Sequence, residues 1–449
     1  MEHYLPEIFW HDRQGLLSVD FQKSSKKNGG HYKIVTTSMQ KEVRIWEFVF
    51  EKVLKEGERD ALAVNFIANI TGHQAAVNVA RFSPSGFCDL LASGDSAGVV
   101  FIWKFSGEAS PSSVPPETNF DDFPLNKENW VRLHESDVSA ICWSTDGQFL
   151  ASSSNDESVV VQNVLTGHRL WTITNYRRFP NGIVWDPKGK YVVTMSTDRK
   201  MDILSAEKGA KLRCFHAALP HNWVISSLNC FIGLQVYKLF HDDQLISFTR
   251  GVDFSPDGEL LIAPSAHLEV DDSNIYGTYV FRRRDFDKDC PTAFLRSRKP
   301  TFRAVCSPIV FKLRCDVAKN MLDLPYRIVW AVLTLDAIIF YDSQSPFPFS
   351  YVDGIHYNNL SDAAWSPDGK ILLVSSLEGY CSFIRWCLMI SGDTTSEVDA
   401  SDLQNKQATK PKPKTPANLI SNYFKKPPFS PLESKRIDLS NPAFEKDIS

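Results

Sequence analysis

Ser366-Pro367-Asp368-Gly369 is the last of five copies of one short turn in this chain. An apolar pair or an aromatic residue precedes each copy, as Ala364-Trp365 does here, and an apolar run follows it. Proline presets φ at the second turn position and glycine supplies a positive φ at the fourth, so each copy predicts a β-hairpin. The other four copies are Ser83-Pro84-Ser85-Gly86, Ser144-Thr145-Asp146-Gly147, Asp186-Pro187-Lys188-Gly189 and Ser255-Pro256-Asp257-Gly258.

The spacing of these turns indicates a repeat protein. Successive copies begin 61, 42, 69 and 111 residues apart, which fits a unit of about 40 to 50 residues with insertions. Seven units can be counted, of which the first and the sixth lack the glycine turn. In the second unit Gly72-His73 opens the repeat and Trp103 closes it, a pattern typical of WD40 blades. The sequence therefore predicts an all-β fold, a seven-bladed WD40 β-propeller with a disordered C-terminal tail.

The chain divides into two parts by composition. Residues 1–390 are predicted to form the propeller, with the segment from Tyr4 to Trp10 completing the last blade so that no sheet edge is left exposed. Long insertions, from Gly107 to Trp130 and from Phe215 to Phe248, interrupt the repeat and are candidate binding loops. Residues 391–449 lose the apolar alternation and are predicted to be a disordered tail that carries short binding motifs.

A hydrogen-bond network of histidine, serine or threonine, aspartate and tryptophan commonly stabilises WD40 blades. We assign structural rather than ligand-binding roles to its candidate members, and we expect it to be badly eroded here. The second unit has Trp103 but Ala97 in the aspartate position, and Gln40 takes that position in the first unit. No blade is expected to keep the whole set. The candidate members are His73, His134, Trp103, Asp156, which faces Gln162, and Asp198, which faces Leu204.

Composition and motifs exclude several classes of function. The net charge of -4 gives no strongly basic surface, so direct sequence-specific nucleic-acid binding is not expected. No stretch approaches eighteen uninterrupted apolar residues, and the nine cysteines show no Cys-x-x-Cys pair. Phosphate-binding glycine loops, zinc-ligand spacings and nucleophile elbows are absent from the sequence. We therefore expect a protein that is not an enzyme, with no membrane association, no cofactor and no metal.

Several strings are not general features of WD40 repeats. They are residues 76–84, the sequence Leu-Asn-Lys-Glu-Asn-Trp at 125–130, Leu324-Pro325-Tyr326-Arg327, Gly379-Tyr380-Cys381-Ser382-Phe383, and residues 347–349 and 355–362. Together they resemble the WD-repeat (middle) subunits of chromatin assembly factor 1. The resemblance implies a non-enzymatic nuclear subunit of a histone chaperone that deposits histones H3 and H4 on newly replicated DNA. It also implies two further partners, the large subunit and a second WD-repeat subunit of that factor.

The tail contains a short basic and then apolar segment at residues 434–440. It resembles the motif through which such subunits and the HIRA family bind the anti-silencing function histone chaperone. In an extended peptide Ile437 and Leu439 lie on one face and can add to a sheet edge, while Lys435 and Arg436 meet acidic side chains at its rim. We therefore predict partner binding at these four residues.

A second tail segment, residues 418–426, has the spacing of a docking peptide for the sliding clamp PCNA. One helical turn brings Ile420, Tyr423 and Phe424 together on one face, although Ala417 replaces the usual glutamine. A few apolar residues in a flexible tail are the alternative interpretation of this segment.

Charge is distributed unevenly around these motifs. Carboxylates at Glu108, Glu117, Asp121 and Asp122 in the first insertion are candidate contacts for basic partners such as histones, and a solvated loop fits equally. In the tail four acidic residues precede six lysines, an arrangement that is also typical of a solvated segment. The acidic residues are Asp393, Glu397, Asp399 and Asp402, and the lysines are Lys406, Lys410, Lys412, Lys414, Lys425 and Lys426.

Two other functions fit a propeller of this kind. A WD40 substrate receptor of a ubiquitin ligase would bind a degron at the channel mouth, but no F-box-like helical segment precedes Tyr4. A HIRA-type subunit of a replication-independent histone chaperone would carry a further large domain after the motif at residues 434–440.

Overall fold

The computed structural model describes residues 1–23, 31–51, 61–84, 90–104, 133–219, 224–225, 236–270, 273–314 and 320–386. Their strands form eight sheets, of which seven are the blades of a β-propeller, so the predicted fold class is confirmed. No helix among these residues is long and apolar enough to cross a membrane. The loop from Gly107 to Trp130, the turn residues Ser85 and Gly86, and the tail with both its motifs lie outside the described residues.

The first three blades follow one another along the chain, each beginning with its innermost strand. The short strand β1 (Glu2–Tyr4) precedes them. Blade 1 consists of β2 (Leu16–Phe21), β3 (His31–Ser38), β4 (Val43–Glu51) and β5 (Ala61–Ile70); blade 2 of β6 (Val77–Phe82), β7 (Leu90–Asp95) and β8 (Val100–Lys104); and blade 3 of β9 (Val138–Trp143), β10 (Phe149–Ser154), β11 (Val159–Asn163) and β12 (Arg169–Ile173).

The remaining blades include one with an added strand. The strands of blade 4 are β13 (Pro180–Trp185), β14 (Tyr191–Ser196), β15 (Lys200–Ser205) and β16 (Lys211–Phe215). A hairpin of β17 (Ala217–Ala218) and β19 (Tyr237–Lys238) follows. Blade 5 consists of β20 (Asp253–Phe254), β21 (Leu260–Val270), β22 (Ser273–Arg282), β23 (Ala293–Ser297) and β18 (Val224–Ile225); blade 6 of β24 (Thr301–Cys306), β25 (Val329–Thr334), β26 (Ala337–Asp342) and β27 (Ser350–Asp353); and blade 7 of β28 (Leu360–Trp365), β29 (Ile371–Ser376) and β30 (Cys381–Arg385).

The four glycine turns that are fully described have the predicted hairpin geometry. The glycines at their ends have φ between 64 and 71 degrees, which a residue with a Cβ adopts at a cost. Each glycine N–H donates to the carbonyl of the first turn residue, for example Gly369 to Ser366 at 2.8 Å. The side chain of Ser366 in turn accepts from the N–H of Ile371 at 3.0 Å and so fixes the start of β29.

The apolar core is divided among the blade interfaces. Each of the seven junctions between neighbouring blades has its own cluster of buried apolar side chains, including the junction between blades 7 and 1. Burial of apolar area at these junctions is the main term that holds the ring together.

The ring is closed by the N-terminal strand, but its bounds differ from the prediction. Strand β1 pairs with β30 from Glu2 opposite Arg385 to Tyr4 opposite Phe383, so only the first residue of the expected segment from Tyr4 to Trp10 lies in the pairing. Trp10 instead fills the core between blades 7 and 1, where it is fully buried and 4.9 Å from the ring of Trp46. Closure thus combines strand pairing with a separate buried anchor.

Residues 241–250, at the end of the second long insertion, lie at the end of the channel that is opposite the glycine turns. Leu245 packs with Phe302 and Leu360 of blades 6 and 7, whereas the carbonyl of Phe248 accepts from Asn181 Nδ2 of blade 4 at 3.3 Å. The buried guanidinium of Arg250 fixes this segment by donating to main-chain carbonyls of the segment itself. The segment therefore connects three blades at the end of the channel opposite the glycine turns.

Candidate functional site: the central channel and the blade interfaces

A cavity of about 1260 Å³ occupies the centre of the ring and is lined by innermost strands of all seven blades. Its edge includes Pro84, Thr145, Pro256 and Pro367, so it opens on the face that carries the glycine turns. It extends from there to Thr249 toward the opposite end of the channel. Clefts with a few convergent polar groups are the usual binding sites of such folds.

Five charged side chains occupy two layers of the innermost strands in and beside this cavity. Each of them lies either one or three residues before the last residue of its strand. Side chains alternate between the two faces of a strand, so these two positions lie on the same face. Three carboxylates and two guanidinium groups are brought together from five blades. They are Asp20, Arg81 and Asp253 in the outer layer and Arg303 and Asp362 in the inner layer.

Asp362 is the centre of this cluster. Its Oδ2 accepts from the hydroxyl of Ser18 at 3.0 Å, from the N–H of Val19 at 3.1 Å and from Arg81 Nη2 at 2.9 Å. Arg303 Nε lies 2.9 Å from its other oxygen. Although burial alone raises the pKa of Asp362, the charges of Arg303 and Arg81 outweigh it and lower that pKa. One ionised carboxylate therefore links blades 7, 1, 2 and 6.

Asp253 lies in a different electrostatic environment. Burial raises its pKa to about 6, and the N–H of Cys306, which donates at 2.8 Å, and the charge of Arg303 only partly oppose that shift. Asp20 makes the equivalent contact at another interface, accepting from the N–H of Phe82 at 2.9 Å. The repeated contact shows that both carboxylates hold the strand of the following blade.

The aromatic residue before the glycine turn connects blades as well. Trp143 Nε1 donates to the carbonyl of Arg81 at 2.9 Å, and Trp365 Nε1 donates to the carbonyl of Val305 at 3.1 Å. Each bond runs from one blade to the preceding blade. Sequence reasoning noticed these aromatic residues as hairpin markers but missed this role, for which their recurrence at one repeat position was the available signal.

The predicted erosion of the histidine network is wrong for blade 2. His73 Nδ1 lies 2.8 Å from Asp95 Oδ2, its Nε2 lies 2.6 Å from the Ser93 hydroxyl, and Trp103 Nε1 donates to the same hydroxyl at 2.8 Å. Blade 2 therefore keeps all four members. Asp95, the last residue of β7, thus supplies the carboxylate that Ala97 in the following turn lacks.

Blade 1 has a similar network that the sequence did not reveal. His11 contacts Thr36 Oγ1 at 3.0 Å and Ser38 Oγ at 3.0 Å, and Trp46 Nε1 donates to Thr36 Oγ1 at 2.9 Å. Ser38 rather than Gln40 therefore takes the aspartate's place. Burial, reinforced by the nearby charge of Arg44, lowers the pKa of His11 to about 3. His11 lies outside a Gly-His pair, which is why the motif did not point to it.

Blade 3 keeps the network without its tryptophan. His134 contacts Asp156 at 3.1 Å and the Ser152 hydroxyl at 2.8 Å, while Gln162 stands where blade 2 has Trp103. Burial raises the pKa of Asp156, but hydrogen bonds led by those from His134 and Ser158 outweigh it and leave that pKa below its ordinary range.

Asp198 of blade 4 has no histidine partner among the described residues. It forms an ion pair with Lys200 at 3.1 Å, and its N–H donates to Ser196 Oγ at 3.4 Å. Tyr176 takes the histidine's place, with its hydroxyl 2.8 Å from that of Thr194.

Metal ligands can be assessed only among the residues that the structure describes. No group of three or more histidine, cysteine, aspartate or glutamate side chains among them is placed to hold a metal ion. The predicted partner-binding residues of the tail, Lys435, Arg436, Ile437, Leu439, Ile420, Tyr423 and Phe424, lie outside the described part of the chain.

Comparison with known proteins gives the family. Residues 1–387 match a family model described as the CAF1B/HIR1 beta-propeller domain. The chain belongs to the CAF1B/HIR1 propeller family. This family membership confirms the resemblance seen in the sequence.

Three relatives of this CAF1B/HIR1 member have names that agree with the family description. The relative from Gallus gallus, named as a subunit of chromatin assembly factor 1, is 35% identical over 85% of this chain and 66% of its own length. The relative from Saccharomyces cerevisiae with the same name is 30% identical, over 84% of both chains. "Protein hir1" of Emericella nidulans is 26% identical over 79% of this chain and 33% of its own length. The chain thus spans about two thirds of the length of the chicken relative.

Proposed function

We propose that this chain is the middle WD-repeat subunit of a chromatin assembly factor 1 complex, which acts in the nucleus to deposit histones H3 and H4 on newly replicated DNA. The observation that carries the proposal is the match of residues 1–387 to the CAF1B/HIR1 propeller, together with relatives named as subunits of chromatin assembly factor 1. The large subunit and the second WD-repeat subunit are the partners that follow.

The role of the propeller in this proposal is that of a scaffold. Its blades are held by separate apolar clusters and by charged contacts such as that of Asp362 with Arg81, so they present loops on a rigid support. Histone transfer exchanges one set of protein contacts for another and requires no covalent chemistry. Tethering within one complex raises the effective concentration of the partners and favours that exchange.

The tail supplies two further contacts in this proposal. Lys435, Arg436, Ile437 and Leu439 dock the anti-silencing function histone chaperone by adding an extended segment to a sheet edge. The segment with Ile420, Tyr423 and Phe424 binds PCNA and so places the complex at replicating DNA. Neither contact requires a change in the propeller.

The alternatives differ in their partners. A HIRA-type replication-independent subunit belongs to the same propeller family, but identity to the hir1 relative is 26% against 35% for the Gallus gallus relative. A ubiquitin-ligase substrate receptor would instead be recovered with ligase components.

Affinity purification from nuclear extract tests the proposal. The full chain is compared with a chain ending at residue 390, and bound proteins are identified by mass spectrometry. Both forms are expected to recover the large subunit, the second WD-repeat subunit and H3 and H4, whereas the full chain alone recovers the anti-silencing function chaperone. Recovery of neither the large subunit nor histones contradicts the proposal, and recovery of ligase or HIR-type partners favours an alternative.

A further inference from the structure

The segment 241–250 begins on a stack of three aromatic rings. His241, its first residue, packs face to face against His267, with ring centres 4.5 Å apart and ring planes 22° apart. Tyr276, which pairs with His267 across the hairpin of β21 and β22, lies 5.1 Å from that ring. His241 is 8% exposed and His267 is 6% exposed. Two buried titratable rings therefore lie in direct contact where the segment begins.

Main-chain hydrogen bonds tie both ends of the segment to this stack. The N–H of His241 donates to the carbonyl of Ser265 at 2.8 Å, and the N–H of His267 donates to the carbonyl of Leu239 at 2.9 Å. At the other end of the segment, Arg250 Nη1 donates to the carbonyl of His241 at 2.5 Å. Displacement of His241 therefore releases the segment at its two ends.

Each imidazole makes its hydrogen bonds as a neutral ring. His241 Nδ1 lies 3.0 Å from Asp242 Oδ1, and an ionised carboxylate only accepts, so that nitrogen carries the hydrogen. His267 Nε2 lies 3.1 Å from Asn274 Oδ1 and carries the hydrogen of the second ring. His267 Nδ1 is buried without a hydrogen-bond partner. A proton added there would be a buried donor without an acceptor, which is costly.

The surroundings of His241 oppose its protonation. Burial, the neighbouring His267 and the charge of Arg250 lower the pKa of His241, and Asp242 only partly opposes that shift. In the released segment this histidine returns to an ordinary pKa of about 6.5, so the released state binds the proton more tightly. The attached arrangement is therefore most stable above about pH 6.5 and loses stability as pH falls below that value.

Glu269 does not compensate the stack. Its Oε1 lies 3.7 Å from His267 Nδ1, beyond hydrogen-bond distance, and accepts from Arg199 Nη1 at 2.7 Å. Arg199 also donates from Nε to the carbonyl of Phe240 at 2.6 Å, so its position is fixed. The other charged groups that act on Arg250 and Glu269 are Asp198 of blade 4, Lys238 of β19 and Asp243 of the segment.

We propose that His241 and His267 form a pH-sensitive latch that holds segment 241–250 at the end of the channel. Neutral rings keep the segment attached, whereas protonation of either ring places a positive charge against the other ring and near Arg250 and releases the segment. The blades stay folded, because each junction between them has its own apolar cluster. Release opens the channel at the end opposite the glycine turns and so admits ligands to the charged layers from both sides. This inference does not depend on the proposed function.

Hydrogen–deuterium exchange of the full chain, read by mass spectrometry at about pH 7.5 and about pH 5.5, tests the proposal. Rates are corrected for the intrinsic pH dependence of amide exchange. Peptides covering residues 239–252 are expected to lose protection at least about fivefold at the lower pH. Strands β14 and β25, which lie in blades 4 and 6, should keep theirs.

Removal of the histidines separates the latch from other titrating groups. His241→Asn with His267→Asn should leave protection of the segment independent of pH, although Asp253, whose pKa is raised to about 6, is retained. His267→Gln, which keeps a donor for Asn274, should by itself reduce the pH effect by about twofold or more. His216→Gln is the matched control, because His216 is exposed and its loss should leave the effect unchanged.

Equal protection of the segment at both pH values in the wild type overturns the proposal. A pH effect that survives undiminished in the variants of His241 and His267 overturns it too, as does simultaneous loss of protection in all blades. Where the double variant does not fold, His267→Gln alone decides between these results.

Discussion

Asp95 contacts His73 at 2.8 Å from a strand position two residues before the one where the repeat pattern places its aspartate. An ionised carboxylate only accepts hydrogen bonds, so His73 Nδ1 carries the hydrogen and Nε2 accepts from Ser93. Burial raises the pKa of Asp95, but the bond from His73 and main-chain donors outweigh it and lower that pKa. The contact is thus an alternative way to build the same network.

Moving the carboxylate from position 95 to position 97 tests whether the two positions are equivalent in the network. Asp95→Ala leaves the His73 N–H buried without its acceptor and is expected to lower the free energy of unfolding by about 1 to 3 kcal/mol. Adding Ala97→Asp places a carboxylate at the position that Asp156 has in blade 3 and should recover most of that loss. Chemical denaturation of the two variants and the wild type provides the measurement; failure of Ala97→Asp to recover stability would show that blade 2 cannot use the second position.

His11 should make stability depend on pH. Its pKa is about 3 in the folded chain and about 6.5 when unfolded, so the unfolded state binds one more proton between these values. The contribution of His11 to the free energy of unfolding is complete above about pH 6.5. Below that value it falls by about 1.4 kcal/mol for each pH unit.

The check is the pH dependence of unfolding between about pH 6 and pH 4.5 for the wild type and for His11→Gln. The variant should lack this part of the slope, whereas His168→Gln, which changes a histidine that is not buried, should keep it. Equal slopes in the wild type and His11→Gln would refute the assignment.

Truncation to alanine should lower the free energy of unfolding strongly at Trp10 and little at Phe9. Trp10 is fully buried between blades 7 and 1, whereas Phe9 is 54% exposed. Trp10→Ala is expected to cost about 3 to 5 kcal/mol, and Phe9→Ala about 0.5 kcal/mol or less. Thermal unfolding of the two variants provides the measurement, and a cooperative transition unchanged by Trp10→Ala would mean that this residue does not anchor the ring.

The sequence predicted the repeated parts of the fold because turn chemistry is local. Gly147 and Gly369 have the positive φ that their positions require, and the strands on either side pair as expected. The number of blades followed from the spacing of the turns together with the apolar runs of the two units that lack the turn. What recurs at the same position in each repeat, such as the aromatic residue before each turn, could be found without coordinates.

Contacts between blades could not be predicted in the same way. Asp362 meets Ser18 from 344 positions away in the chain, and no local pattern encodes that meeting. Asp95 was missed because the carboxylate was assumed to lie in the turn, as Asp156 does in blade 3, whereas Asp95 contacts His73 from the end of β7.

The tail motif should control one partner without affecting the propeller. Lys435→Ala with Arg436→Ala removes both positive charges and is expected to weaken binding of the anti-silencing function histone chaperone at least about tenfold. Lys410→Ala with Lys412→Ala removes two charges outside both motifs and is the matched control. Titration calorimetry with the full chain gives both affinities. Undiminished binding by the first variant would remove this motif from the account.

Replication-coupled histone deposition tests the central claim most directly. A cell extract is depleted of its own middle subunit, the chain is added back with the large and second WD-repeat subunits, and H3–H4 deposition is measured as supercoiling of replicated and unreplicated plasmids. The account predicts that the chain restores deposition on the replicated plasmid selectively. No restoration, or equal deposition on both plasmids, would contradict it.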